Sequence, residues 1–183
     1  MSSAARLARA AGRDAVSRSR LVLSKLLVPI ALAALVLSVL YGCGEPKPVT
    51  IGALVPDTGP ASTYGRSVRQ GIELAVAEIN RDGGIGGRRQ LNVEFRDTQT
   101  DPAAAAAALE ELAGMGVPGI IGPGASNVAL EVVDVAAENQ VVLVSPSASN
   151  PKLTQEGGQW FFRVYPSDVV EGARMADFCR QQA

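Results

Sequence analysis

Histidine is absent from this 183-residue chain, and cysteine occurs only at Cys43 and Cys179. Without an imidazole, histidine-based triads, proton shuttles and imidazole metal sites are excluded. Cys43 closes an apolar leader, which leaves Cys179 with no intrachain partner, so no disulfide scaffold is expected. Cys179 follows the apolar positions Met175, Ala176 and Phe178, a pattern that predicts a buried core thiol. Aromatic residues are scarce and the part after the leader is acidic, which speaks against nucleic acid as a partner.

What is present begins with an uneven charge. Six of the 17 basic residues (Arg6, Arg9, Arg13, Arg18, Arg20, Lys25) precede residue 43 and are opposed only by Asp14. The leader therefore carries +5 and the remainder −6. A basic start followed by the uncharged run from Leu26 to Gly44 is the layout of a signal sequence. The run is long enough to span a bilayer, but Pro29 interrupts it and it ends in Leu40-Tyr41-Gly42-Cys43. That ending resembles the lipobox of bacterial lipoproteins, in which a small residue precedes a cysteine that is lipidated and becomes the new N-terminus. Tyr41 is bulkier than the residue usual there. The resemblance implies a signal peptide over 1–42 and export to the periplasm or cell surface. Lipidated Cys43 would then hold the chain to the membrane through a Pro-rich, solvated tether over 43–48.

From Val49 onward, short apolar runs alternate with amphipathic ones, the signature of an α/β domain built on a parallel sheet. Strands are predicted at Val49–Val55, Leu91–Phe95, Gly119–Ile121 and Val141–Val144, with an extended segment at Trp160–Val164. Helices are predicted from about Tyr64 to Arg81, where Val68, Ile72, Ala75, Val76 and Ile79 share one face. Others follow from Pro102 to Leu112 with Asp101 as N-cap, from Val128 to Glu138, and from Ser167 to Gln181. Successive β-loop-α passages imply right-handed crossovers in one doubly wound sheet, whose ligands sit beyond the carboxyl ends of the strands.

Three loops lie at those ends. In Gly122-Pro-Gly-Ala-Ser-Asn127 the chain leaves a strand and opens a helix, whose free N–H groups and positive dipole end suit an anion. Ser126 is placed there as N-cap or as ligand contact. The loop is not a dinucleotide fingerprint: its third glycine position holds Asn127, and no convincing ribose-binding acid follows. Ser145-Pro-Ser-Ala-Ser-Asn-Pro151 offers three hydroxyls that can accept from an ammonium and donate to a carboxylate, on a backbone stiffened by proline. Pro56–Tyr64 is the third loop. No serine has a general base beside it, and Lys152 reads as a solvated loop lysine. Catalysis, cofactor and metal are therefore not expected.

The stretch Ile51-Gly-Ala-Leu-Val-Pro-Asp-Thr-Gly-Pro60 with Tyr64-Gly65 resembles the opening of branched-chain amino-acid-binding proteins of ABC transporters. The likeness continues in order through Gly71-Ile-Glu-Leu-Ala75, Ala77-Glu-Ile-Asn80, Gly83-Gly-Ile-Gly86, Asp97 with Asp101-Pro102, Ile121-Gly122, Ser145-Pro146 and Phe162-Arg163. It implies the α/β first lobe of a two-lobed periplasmic binding protein that closes on its ligand through a hinge. By position, Tyr64 matches a tyrosine lining the pocket and Ser126 a serine meeting the ligand α-carboxylate. Ser147 and Ser149 match a pair contacting the α-amino and α-carboxylate groups. The implied layout is a ligand-binding lobe over 49–159, a hinge over 160–168, and the start of a second, mostly missing lobe over 169–183.

The implied partners are an amino acid and a membrane permease. On this resemblance the segment from Cys43 onward is less than half a usual member, so a fragment with an open half-site is expected. The same fold also serves sensory receptor lobes. Related receptors take amides, urea or aromatic acids, so the solute class stays open among these.

Overall fold

The computed structural model describes residues 46–182. The predicted signal peptide over 1–42 and the predicted lipidation site Cys43 lie outside them. Among the described residues, five strands, β1 (Val49–Val55), β2 (Leu91–Asp97), β3 (Gly119–Ile121), β4 (Val142–Ser145) and β5 (Phe161–Arg163), form one parallel sheet in the order β2-β1-β3-β4-β5. In register, Val55 lies opposite Asp97, Ala53 opposite Ile121, Ile121 opposite Val144, and Ser145 opposite Arg163. Among the described residues, five helices accompany the strands: α1 (Ser62–Arg81), α2 (Pro102–Gly114), α3 (Ser126–Glu138), α4 (Lys152–Glu156) and α5 (Asp168–Gln182).

Winding turns outward from β1 to β2 and then reverses to β3, which places a switch point between β1 and β3. The strand alternation distributes side chains to two faces. Leu54 and Ile120 join the larger core with Ala105, Leu109 and Leu112 of α2, Val128 and Val132 of α3, and Leu143 of β4. Ala53 and Val55 face the other way and pack with Ile72 of α1. The alanines of α2 are thus a packing surface: Ala105 is fully buried beside Leu109 and Leu112. Asp101 caps this helix as its spacing predicts, accepting from the Ala104 amide at 2.8 Å.

Among the described helices, α1 alone contributes to the second core cluster. An apolar hollow of about 380 Å³ runs along it, lined among others by Val68, Ile72, Val76, Ile79, Ile121 and Pro146. Another, of about 430 Å³, lies between α1 and β2. Neither is lined by Tyr64 or by the loop serines.

Three local expectations need correction. A short helix, α4, follows Pro151, where its five residues are too few to show a period. Both β2 and β4 run further toward their carboxyl ends than predicted, to Asp97 and Ser145. Cys179 is exposed, not buried. No residue of α5 is buried, and Met175 and Phe178 are each 62% exposed. A helix's own apolar positions become core only where another element covers them, and no described element covers α5. Among the described residues, no helix is long and apolar enough to cross a membrane.

Candidate functional site

Loops from the carboxyl ends of β1, β3 and β4 meet beside the switch point. Their junction is set by Gly124: a Cβ built there would lie 2.8 Å from Ser147 Oγ, 3.4 Å from Tyr64 Cε1 and 3.8 Å from Pro146 Cγ. Tyr64, in the first turn of α1, and Ser147, after β4, therefore face one small surface of the β3–α3 loop. Tyr64 is 49% exposed, so its ring forms an open wall.

Ser126 belongs to the same surface but does not cap its helix. The N-cap position of α3 is Ala125, with φ −82° and ψ 128°, and no side chain caps the helix. The Ser126 hydroxyl oxygen instead accepts from the amides of Ser149 at 3.1 Å and Asn150 at 3.2 Å. Local spacing suggests a cap, but two amides from another loop compete for that oxygen and take it. The chemical consequence is specific. A serine oxygen has two acceptor positions and one O–H, so with both acceptor positions taken the Ser126 hydroxyl has only its proton to offer a further partner. The uncapped first turn of α3 adds unpaired N–H groups and the positive end of the helix dipole.

Ser147 Oγ donates to the Gly124 carbonyl at 3.0 Å, which leaves its lone pairs free to accept. Ser149 is fixed through its backbone: its amide serves Ser126, and its carbonyl accepts from the Asp168 amide at 3.0 Å. Its hydroxyl has no hydrogen bond among the described residues. Donors for an anion and an acceptor for a cation thus stand next to a half-exposed aromatic wall.

Two residues outside the predicted set hold the loops. Ser145 is fully buried; its hydroxyl donates to the Pro123 carbonyl at 2.6 Å and accepts from the Ala148 amide at 3.0 Å. Alternation puts Ser145 on the same face as buried Leu143, and that signal marks it as the inward serine of its loop. Arg163, at the end of β5, donates to the carbonyls of Ala148 at 3.2 Å and Asn150 at 2.9 Å. Replacing Ser145 with alanine would strand a buried carbonyl and a buried amide. It should cost about 2 kcal/mol or more, since unsatisfied buried groups cost roughly 1–3 kcal/mol each. Urea unfolding would measure it, and a loss below about 0.5 kcal/mol would show that the hydroxyl does not hold the loops.

Residues 48–183 match the description of a periplasmic binding protein. The chain belongs to that family. It is 34% identical over 154 residues to the Leu/Ile/Val-binding protein homolog 3 of Brucella melitensis, covering 84% of this chain and 41% of the relative. It is 39% identical over 125 residues to the Leu/Ile/Val-binding protein BraC3 of Rhizobium johnstonii, covering 68% and 34%. The chain thus spans about a third to two-fifths of the length of these curated relatives.

Among solved structures it is similar to the branched-chain amino acid transporter substrate-binding protein LivJ of Streptococcus pneumoniae in complex with isoleucine. The TM-score there is 0.63 at 33% identity, with 66% of this chain and 34% of that one covered. An ABC transporter substrate-binding protein of Desulfitobacterium hafniense in complex with leucine gives 0.67 at 27% identity, covering 75% and 40%. The lobe architecture of this periplasmic binding protein is therefore the one its β-loop-α order predicts.

Proposed function

We propose that the chain is the ligand-capturing first lobe of an extracytoplasmic solute-binding protein that supplies branched-chain or related amino acids to an ABC transporter. The observation that carries this reading is the pairing of a Ser126 hydroxyl with both acceptor positions filled and an uncapped start of α3 with the oxygen of Ser147, which lies beside Tyr64 at Gly124. A zwitterion needs both. The α-carboxylate fits Ser126 and the helix N-terminus. The α-amino group fits Ser147, with Ser149 completing the polar edge and Tyr64 forming the wall. Relatives whose names specify leucine, isoleucine and valine support the same solute class.

Export follows from residues 1–42 read as a signal peptide, with Cys43 as lipid anchor and 43–48 as tether beside a membrane permease. Residues 160–168 then serve as hinge and 169–183 begin the second lobe. The chemistry is capture and release, with no enzymatic step. A hydroxyl with no adjacent base is a hydrogen-bonding group, not a nucleophile.

An open half-site carries an energetic penalty. Hydrogen bonds involving charged groups contribute about 1.5–3 kcal/mol each, while association costs about 4 kcal/mol or more. The 43–183 segment should therefore bind leucine, isoleucine or valine with a Kd of about 1 mM or weaker, which corresponds to roughly −4 kcal/mol. Calorimetry with the three amino acids tests this. Micromolar binding would overturn the half-site reading, and a preference for an amide or aromatic acid would overturn the proposed solute class.

A further inference from the structure

The position of Tyr64 depends on a loop that lies outside the candidate site. Helix α1 starts without a side-chain cap, at Ala61. Its lead-in, Pro56 to Ala61, is instead tied to the β2–α2 turn. Asp97, the last residue of β2, accepts through Oδ1 from the amides of Thr58 at 3.1 Å and Gln99 at 2.8 Å, and through Oδ2 from the Thr58 hydroxyl at 2.6 Å. The Ala61 amide donates to Thr100 Oγ1 at 3.1 Å. Gly59 is so close to this turn that a Cβ there would fall 2.1 Å from the Gln99 carbonyl oxygen.

The turn itself is held in an unfavourable conformation. Gln99 and Thr100 have φ of 54° and 59°, a region that L side chains, and β-branched ones above all, seldom enter. That geometry directs the Gln99 amide at Asp97 and the Thr100 hydroxyl at Ala61. Strain of this kind persists only where surrounding contacts over-determine it. Burial opposes ionisation of Asp97. The Thr58 hydroxyl and the amides of Gln99, Thr58 and Asp57 outweigh that, holding its carboxyl below the ordinary range.

We infer that Asp97 is a positioning residue for Tyr64: its carboxylate clamps the β1–α1 loop, and so fixes where the first turn of α1 presents the ring against Gly124. Asp97 does not touch the ligand, and its effect on binding rests on the reading of Tyr64 as a pocket wall. A second tie runs in parallel. Arg69 of α1 bonds Asp57 in the loop, and its guanidinium stacks 3.9 Å from the Phe95 ring of β2. The helix body therefore stays anchored when the clamp is cut, and the change should be confined to its first turn.

The test uses the full chain in mild detergent, with Asp97→Ala and Asp97→Asn compared by NMR. The unsubstituted chain should give a nuclear Overhauser contact between the Tyr64 ring and the Gly124 Cα protons. Asp97→Ala should abolish it and speed amide exchange from Thr58 to Gly65 on the order of tenfold, leaving α2 and α3 unchanged. Asp97→Asn keeps an acceptor for the two amides and should restore the contact, which a purely charge-based role would not allow.

A Tyr64–Gly124 contact that survives Asp97→Ala would overturn the inference, as would faster exchange spread evenly over α2 and α3. Leucine is then titrated into the same samples. Shifts at Ser147 that weaken about tenfold in Asp97→Ala are expected, and equal shifts in both would overturn the link to binding. No shift in the unsubstituted chain would sink the amino-acid reading, while the ring contact would still decide the clamp.

Discussion

Replacing Gly122 with alanine should destabilise the lobe by about 3 kcal/mol or more, the largest loss expected from any single methyl group at the site. Two independent costs combine. Gly122 has φ +104°, a backbone region closed to ordinary L residues. The added Cβ would also fall 2.3 Å from the Leu54 carbonyl oxygen and 3.4 Å from Leu54 Cβ, inside the tight pairing of β1 with β3. Neither neighbour can move cheaply, because Leu54 is part of the main core and only 1% exposed. Denaturant midpoints with an unchanged slope would measure the loss.

Gly124, two residues on, provides the contrast. Its added Cβ meets the Ser147 hydroxyl and the edge of the Tyr64 ring, both ends of movable side chains. Gly124→Ala should therefore cost little stability and act on the surface where the loops meet. If the two substitutions destabilised equally, the β3–α3 loop would not be divided into a half locked against Leu54 and a half facing movable side chains, as the geometry requires.

That division explains what sequence reasoning could and could not reach. Strand β1 coincides with its predicted range, and Asp101 caps α2 as predicted, because these depend on short-range patterns: an unbroken apolar run, a side-chain acceptor before proline. The three loops at the strand ends follow from the order of elements alone. Ser126 is different. Its placement before a helix looks the same in sequence whether its oxygen caps that helix or accepts from Ser149 and Asn150, and the choice is made by a loop 23 residues away. Cys179 fails for the reverse reason. An apolar stripe such as Met175, Phe178 and Cys179 suggests a core, but burial needs a covering surface that no local pattern encodes. The clamp of Asp97 on Thr58 spans 39 positions and leaves no periodic trace. In the sequence Asp97 stands out only as part of the family likeness, beyond the predicted end of its strand at Phe95.

Helix α1 carries a second large effect, and it should appear as a difference in sign between two glycines. Gly65 is buried at the first turn, and a Cβ there would fall 2.0 Å from the Pro56 carbonyl oxygen and 2.6 Å from its carbon. That obstacle is backbone, so Gly65→Ala must push the start of α1 away from the end of β1. Such overpacking costs about 1–3 kcal/mol in general, and a contact this short belongs at the upper end. Gly71, nearly two turns along, is exposed and has nothing within 4 Å of an added Cβ. There alanine only removes the conformational freedom that glycine has when unfolded, so Gly71→Ala should stabilise by about 0.5–1 kcal/mol. Urea titrations of the two variants against the parent decide the matter, and a shared sign would contradict the close seating of α1 on Pro56. The consequences for Tyr64 should separate in the same way. It is the residue immediately before Gly65, so displacing the first turn moves the ring off Gly124, while a methyl at Gly71 strengthens the helix behind it and leaves the ring in place.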